Sequence, residues 1–334
     1  MSRFPIFKAP QLVQYLIVKS AEPSELFFLA LCSKRAFHFV RYNLGSAIRN
    51  WNHVFICTGN YLEVHLNESK VVGVCARGGE TNELCSLKFK TRVHKCHVKR
   101  DKDGKLDTVW EDLELGKQVI PSLVTEVFGL SIHTALTDES GLSALKLWNE
   151  NQSSKIQGIA YLDKSGCVSA DHLRSVLLDC PATRRLSVYA ITPPNFQFNE
   201  PFPPFYMLKM LHAPWITVEQ IMRMDQIEEI IIGKSTCTST DLNRFLKHWL
   251  AGGSPKLRFL SMDIADRNAS LFVGLERLTV YSNQYRQMVL NDGRRIYRID
   301  GDSYDITRGD GARITIHTGT DNRGCDFLVW PRLE

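Results

Sequence analysis

One short stretch combines side chains that commonly bind metal ions, because His94, Cys96 and His97 lie within four residues. Apolar and basic residues alternate around it, which predicts a β-strand, and neighbouring residues of a strand point to opposite faces. A structural zinc site needs four converging ligands, and no fourth ligand stands at a spacing typical of zinc sites. We interpret the stretch as a strand with one solvated basic face and predict no metal.

Two further motifs share features with loops that bind ions or phosphates. Asp101 and Asp103 begin like a calcium loop, but Lys105 occupies the position of a third oxygen ligand. Gly233-Lys234-Ser235 follows a predicted strand, but Glu228 stands where a phosphate loop requires its first glycine. A carboxylate there would repel a phosphate. Both stretches are interpreted as turns, and no cofactor is predicted.

The chain contains none of the short motifs that mark nucleophile elbows, zinc proteases or dinucleotide sites. None of the ten histidines has a nucleophile at an informative spacing. Triads are assembled in space, so a hydrolase that gathers a cysteine or serine with a histidine and an acid stays an alternative. We predict no catalytic residues and a protein that is not an enzyme.

The composition of the 334-residue chain is that of a globular protein with a small excess of basic residues. A net charge of +5 is too small to indicate a nucleic-acid partner. The longest apolar run near the N-terminus, Leu26 to Cys32, is far shorter than the roughly 18 residues that span a membrane. Nine cysteines without a C-x-x-C pair are typical of reduced thiols. We expect a soluble intracellular protein, cytoplasmic, nuclear or both, that binds neither nucleic acid nor membrane.

The first forty or so residues carry signals for three short helices. Pro10 and Pro23 fit the first turns of two helices, and Ser33 fits the cap of a third. The second helix, from Leu26 to Leu31, is apolar on all sides, so part of its surface needs a cover from outside the module. A partner protein would provide it. The alternative is that the three helices cap a larger core of the same chain.

This N-terminal order resembles the F-box of nematode F-box proteins. The shared order is F-P-x-x-x-x-P, an apolar helix, x-P-x-E-L, a second apolar helix and L-C-S-K-R, while Ala9 and Ala21 stand where leucine is usual. The resemblance implies docking to a Skp-family adaptor and, through it, to a cullin. The expected adaptor contacts are Pro10, Ile17, Pro23, Leu26 and Leu29.

Residues 46–123 predict an antiparallel β region, because short segments rich in β-formers alternate with Gly and Asn turn signals. The segments are Val54 to Cys57, Tyr61 to Leu66, Val71 to Cys75 and Leu84 to His97. The clearest hairpin pairs Lys88 to Lys99 with Lys105 to Leu113 around a turn that begins at Asp101.

From Val124 onward, apolar-x-apolar triplets recur and start 27, 22, 22, 30 and 18 residues apart. They are Ile159-x-Tyr161, Leu186-x-Val188, Leu208-x-Met210, Ile230-x-Ile232, Leu260-x-Met262 and Leu278-x-Val280. Intervals of roughly 20 to 29 residues are typical of leucine-rich repeats. Helices are predicted between several triplets, with caps at Ser169, at Thr217 and at Ser239 or Thr240. We expect a short, irregular αβ solenoid, and the alternative is one α/β layer that contains parallel strands but no true repeat.

Solenoids bind partners on the surface formed by their aligned strands. The middle residues of the triplets point away from the buried side, so we expect them to contact a target protein. These candidates are Ser187, Lys209, Ile231 and Ser261.

A second resemblance concerns the C-terminal half. Trp215 to Asp225, Thr240 to Met262, Tyr304 to Ile316 and Phe327 to Trp330 are similar to the second type of F-box-associated domain of nematode proteins. Together the two resemblances imply a substrate-recognition subunit of an SCF-type cullin ubiquitin ligase. The alternative is a protein-interaction scaffold outside the ligase with a degenerate F-box, which Ala9 and Ala21 favour.

The predicted fold is of the α+β or α/β class with three parts. Residues 1–45 form a helical F-box, residues 46–123 an antiparallel β region, and residues 124–334 an F-box-associated, leucine-rich-repeat-like solenoid closed by β-hairpins.

Overall fold

The computed structural model has mixed α/β architecture with eight α-helices and eighteen β-strands in the residues it describes. Those residues are 6–45, 53–58, 61–66, 69–76, 83–89, 92–101, 103, 105–151, 155–163, 167–266, 268–275, 278–281, 286–290, 296–299, 303–318 and 324–330. The chain divides into two compact units, Met1–Ala160 (unit 1) and Tyr161–Glu334 (unit 2).

The described residues of unit 1 form five α-helices and a mixed sheet. The helices are α1 (Gln11–Ser20), α2 (Pro23–Cys32), α3 (Lys34–Leu44), α4 (Leu113–Phe128) and α5 (Leu142–Asn151). The strands are β1 (His53–Thr58), β2 (Tyr61–Leu66), β3 (Ser69–Ala76), β4 (Glu83–Phe89), β5 (Arg92–Arg100), β6 (Leu106–Trp110), β7 (Thr134–Thr137) and β8 (Gly158–Tyr161), whose last residue begins unit 2.

The strand order in unit 1 is β8-β7-β1-β2-β3-β6-β5-β4. Most described neighbours pair antiparallel, but β1 pairs parallel with β7, and β3 pairs parallel with β6. The prediction of an antiparallel β region is therefore correct only in part. The predicted strand from Lys88 to Lys99 is two strands, because β4 turns back and pairs antiparallel with β5.

Helix α4 covers strands β2, β3 and β6 and was not predicted. Its Gly116 lies so close to Trp110 that an added Cβ would stand 2.6 Å from the indole Cγ, so only glycine fits there. The helix also continues across residue 123, where the sequence suggested a domain boundary. The division at residues 45 and 123 stays a prediction, and the compact grouping of the chain changes at residue 160 instead.

The described residues of unit 2 form three α-helices and ten strands that lie wholly within it. They are α6 (Ala170–Asp179), α7 (Val218–Arg223), α8 (Ser239–Leu250), β9 (Arg185–Val188), β10 (Met207–Met210), β11 (Glu229–Ile232), β12 (Phe259–Asp263), β13 (Leu278–Tyr281), β14 (Arg286–Val289), β15 (Ile296–Ile299), β16 (Ser303–Thr307), β17 (Arg313–Thr318) and β18 (Gly324–Trp330). The sheet order is β9-β10-β11-β12-β18-β17-β16-β13, and β14 and β15 form a separate antiparallel ribbon.

Each predicted triplet lies in a strand, and strands β9 to β12 pair parallel in one continuous register. The first and last residues of their triplets are buried, at most 1 % exposed. Helix α8 covers this face, since Phe245 contacts Phe327 beside Leu260. The last triplet is different, because β13 pairs antiparallel with β16 at the far edge of the sheet. It does not continue the parallel row, and the solenoid stays a prediction.

Most predicted caps are present. Ser169 accepts a hydrogen bond from the backbone N–H of His172, and Thr217 accepts one from that of Gln220. For α8 the cap is Thr238, one residue before the predicted pair, and Asp241 completes a capping box with it. The reciprocal Thr–Asp pair explains why the helix begins earlier, because it satisfies backbone donors on both sides of the first turn.

Candidate binding surfaces

Residues that favour helix N-termini set where the three N-terminal helices begin. Pro10 precedes α1, Pro23 opens α2, and the hydroxyl of Ser33 accepts a hydrogen bond from the N–H of Ala36 at the start of α3. The Glu22 and Glu25 side chains form a capping box at α2. The predicted helix start at Pro23 and the predicted cap at Ser33 are confirmed, and α1 begins one residue after Pro10.

Helix α1 exposes apolar side chains to solvent. Leu12 is 68 % exposed and Leu16 is 52 % exposed, and Val18 is the one fully buried residue of this described helix. Tyr42 of α3 lies beside them, because Gln11 Nε2 donates a hydrogen bond to its hydroxyl. We call this surface the α1 face, and it consists of Leu12, Val13, Tyr15, Leu16 and Tyr42.

Helix α2 is the buried centre of the N-terminal helices rather than their free surface. Leu26 and Phe27 are at most 1 % exposed, since α2 packs on α3, α4 and β3. Leu26 therefore offers no surface to an adaptor, while cover of the half-buried Leu29 by another protein stays a prediction. A helix that is apolar on all sides is typical of a core position, and that signal was present in the sequence.

The other predicted adaptor residues lie at or near the surface. Pro10 is exposed, while Ile17, Pro23 and Leu29 are half-buried. Their role as adaptor contacts stays a prediction. Leu12 and Leu16 were not among the candidates. The sequence did indicate such a face, because the apolar residues of this helix extend beyond the side that is buried.

The predicted target residues form one row across the parallel strands of unit 2. Ser187 pairs with Lys209, Lys209 with Ile231, and Ile231 with Ser261. The row lies on the face opposite α8, which we call the outer face. The alignment expected from the triplets is therefore present, whereas binding of a target there stays a prediction.

The β14–β15 ribbon covers one end of this row. Phe259 and Leu328 of the sheet form a buried cluster with Met288, Leu290 and Ile299 of the ribbon segment, and Ile231 packs against the cluster. We expected Ile231 to face a target, but the ribbon partly buries it, and its contact with a target stays a prediction. The ribbon residues lie far from Ile231 in the sequence, so the local sequence pattern could not indicate that the ribbon packs on it.

Polar contacts hold the ribbon to the sheet. Arg286 of β14 donates to both carboxylate oxygens of Asp305, at 2.9 and 3.0 Å, and Asp305 is only 3 % exposed. Tyr297 of β15 donates to Asp326 of β18. Burial, together with this hydrogen bond to a carboxylate, raises the pKa of the Tyr297 hydroxyl above its ordinary value. The hydroxyl therefore remains a donor throughout the physiological pH range.

Exposed apolar side chains stand beside the row at the ends of two strands, whereas Ser187, the residue at the other end of the row, is buried at 8 % exposed. Tyr189, Ile191 and Leu211 are 37 %, 49 % and 41 % exposed, at the carboxyl ends of β9 and β10. Lys209 is half-buried, and its ammonium lies 5.2 Å from the centre of the Tyr189 ring. We call Tyr189, Ile191, Leu211 and Lys209 the open-end patch.

A shallow cavity of about 240 Å³ lies on the sheet of unit 1, between β2, β3, β5 and β6. Its lining includes Cys75, Lys99 and Asp107 but no histidine among its described residues. Burial raises the pKa of the Cys75 thiol, so the thiol is protonated at neutral pH. The cavity gives no support to the hydrolase alternative.

The motifs that first suggested ions or phosphates lie in ordinary structure. Asp101 Oδ1 accepts hydrogen bonds from the N–H groups of Asp103 and Lys105, which makes a tight turn between β5 and β6. Lys234 has φ of 53° after β11, and its N–H donates to Asp263. Within the described ranges, no three His, Cys, Asp or Glu side chains converge as metal ligands would. The longest described helix has 16 residues, and none has the length and apolar character needed to cross a bilayer.

Comparisons with known proteins point to one group of nematode proteins. Residues 197–262, from the loop before β10 to β12, match the model of a family described as "F-box associated". The chain is 20 % identical to the "Skn-1 dependent zygotic transcript 15 protein" of Caenorhabditis elegans, over 94 % of this chain and 93 % of that protein. No solved structure matches the chain. The two matches support a relation to nematode proteins with an F-box-associated domain.

Proposed function

We propose that the chain is the substrate-recognition subunit of an SCF-type cullin ubiquitin ligase. The observation that carries the proposal is the match of residues 197–262 to the F-box-associated family. The three N-terminal helices and their exposed α1 face support it, since an adaptor would cover apolar side chains that the chain leaves in water.

In this proposal unit 1 holds a Skp-family adaptor and, through it, a cullin, while unit 2 holds the target protein. The chain makes and breaks no bond itself. It raises the local concentration of the target beside a charged ubiquitin-conjugating enzyme, so that a bimolecular reaction becomes effectively intramolecular. The adaptor contacts would include Pro10, Ile17, Pro23 and Leu29 together with the α1 face.

The experiment is co-purification of the full chain with a Skp-family adaptor, followed by titration. Replacing Leu16 by aspartate should weaken adaptor binding by roughly thirtyfold or more, because loss of an interface anchor typically costs about 2 kcal/mol or more. Leu16 is 52 % exposed, so the free chain should keep its melting temperature.

The matched control is Val273→Asp, since Val273 of unit 2 is 61 % exposed and should leave adaptor binding unchanged. Failure of the wild-type chain to bind the adaptor would contradict the proposal. It would favour a scaffold with a degenerate F-box, the reading that the half-buried alanines at positions 9 and 21 support. In that case Ala9→Leu with Ala21→Leu should not restore binding.

A further inference from the structure

The open-end patch of unit 2 contains a cation, Lys209, that has no anionic partner among the residues that the structure describes. Lys209 is half-buried between two strands, and the interaction found for its ammonium is with the Tyr189 ring. Within the described parts of the chain, Lys209 forms no ion pair. A half-buried ammonium has lost part of its hydration, so a carboxylate brought to it gains more than it would at a fully exposed lysine.

Apolar side chains stand directly beside this cation. The ladder continues one residue past β10, because the N–H of Leu211 donates to the carbonyl of Val188 at 3.1 Å. That pairing places Leu211 next to Tyr189 on the outer face, where Lys209 also lies. The ribbon packs on Ile231, and Ser187 at the other end of the row is buried, so the exposed apolar residues next to Lys209 are Tyr189 and Leu211 at the carboxyl ends of the strands.

We propose that the open-end patch binds a peptide segment of the target that carries an aspartate or glutamate next to an aliphatic residue. The carboxylate would pair with Lys209, and the aliphatic side chain would contact Tyr189 and Leu211. The inference rests on the proposed function, because it names the class of segment that unit 2 would hold.

The patch fits a carboxylate better than a phosphate. Phosphate groups on peptides are typically bound by clusters of arginines that donate in pairs, whereas these four residues contain a single ammonium. A single lysine matches the single charge of an aspartate or glutamate. The test must therefore distinguish binding of an acidic segment from binding of a phosphorylated segment.

The probe is a phage library of random peptides selected on the immobilised full chain. We expect the selected peptides to be enriched in Asp or Glu beside Leu or Ile. A selected peptide, resynthesised, should bind Lys209→Met about tenfold to a hundredfold more weakly, the range for a lost hydrogen bond to a charged group. The control is Lys256→Met, an exposed lysine of the same unit that should bind like wild type.

A double-mutant cycle tests whether the peptide acid contacts Lys209. Replacing the peptide acid by its amide should weaken binding to the wild-type chain but not further weaken binding to Lys209→Met. The proposal is overturned if no peptides are selected, if they lack acids, if Lys209→Met binds like wild type, or if phosphoserine in place of the acid binds more tightly. Adaptor binding is measured on the same preparations. If the adaptor binds and any of these results is obtained, the peptide-binding inference alone is contradicted. If the adaptor does not bind, the proposed function is contradicted.

Discussion

Replacing Lys70 by methionine should destabilise unit 1, because this side chain neutralises three carboxylates at once. Its Nζ lies 2.7 Å from Asp101 Oδ2, 2.7 Å from Asp107 Oδ1 and 3.2 Å from Glu63 Oε1. The carboxylates belong to β2, to β6 and to the turn before β6, so Lys70 of β3 joins several parts of the sheet. Methionine keeps the apolar stem and removes the charge.

The burial of the cluster sets the magnitude. The Lys70 side chain is 13 % exposed, and the carboxylates are 13 to 26 % exposed. Breaking a fully buried ion pair costs about 3–5 kcal/mol, and residual hydration of these groups lowers that figure, so we expect a loss of about 2–4 kcal/mol at neutral pH.

The loss should depend on pH with a defined sign. The hydrogen bond with His65, and to a smaller extent the charge of Lys70, lowers the pKa of Glu63. The hydrogen bond from Lys70 lowers the pKa of Asp101. Groups with a lowered pKa stabilise the fold above their unfolded pKa of about 4 and lose this effect as the pH falls further. Burial opposes the charge of Lys70, but its carboxylate partners raise its pKa overall, so its contribution persists up to about pH 10.

The difference between wild type and Lys70→Met should therefore be largest from about pH 5 to pH 10 and should shrink below about pH 4. Hydrogen exchange followed by mass spectrometry, on peptides from β2, β3 and β6, measures it locally and separates unit 1 from unit 2. Lys95→Met is the control, because Lys95 of β5 is exposed. Equal effects of the two substitutions at pH 7, or a difference that grows in acid, would refute the reasoning.

Two further predictions concern packing and thiol chemistry. Gly116→Ala should lower the stability of unit 1 by about 1–3 kcal/mol, because the new methyl group would overlap the Trp110 ring, whereas Gly309→Ala, which has open space, should leave the melting temperature nearly unchanged. Burial raises the pKa of the Cys57 thiol to about 12, so at pH 8 iodoacetamide should alkylate the exposed Cys32 and spare Cys57 until the chain unfolds. Equal labelling of both cysteines in the folded chain would show that Cys57 is accessible.

The parallel strands of unit 2 could be predicted because their signal is local. A short apolar triplet recurs in the chain, with capped helices between several of the triplets, and strands β9 to β12 follow that recurrence. The triplet of β13 has the same local pattern but pairs antiparallel with β16. A strand's partner depends on contacts distant in sequence, so the pattern predicts the strand and not its neighbour.

The candidate surfaces show the same limit. The row from Ser187 to Ser261 follows from strand alternation, but its cover by the β14–β15 ribbon depends on residues that no local pattern connects to it. In unit 1, the apolar character of α2 was visible, whereas the burial of Leu26 depends on β3 and α4. The three helices therefore read as a separate module although they share a core with the strands.

The shared core of α2 bears on how the N-terminal helices can be studied. A fragment that ends near residue 45 would carry Leu26 and Phe27 without the strand and helix that enclose them, and a chain lacking those residues would leave β3 bare on the same side. Both fragments would present new apolar surface and tend to self-associate or engage chaperones. If the proposed adaptor binding were lost after such a truncation, misfolding would explain the loss as well as a missing contact would, so point substitutions on the solvent side of α1 are the more informative test.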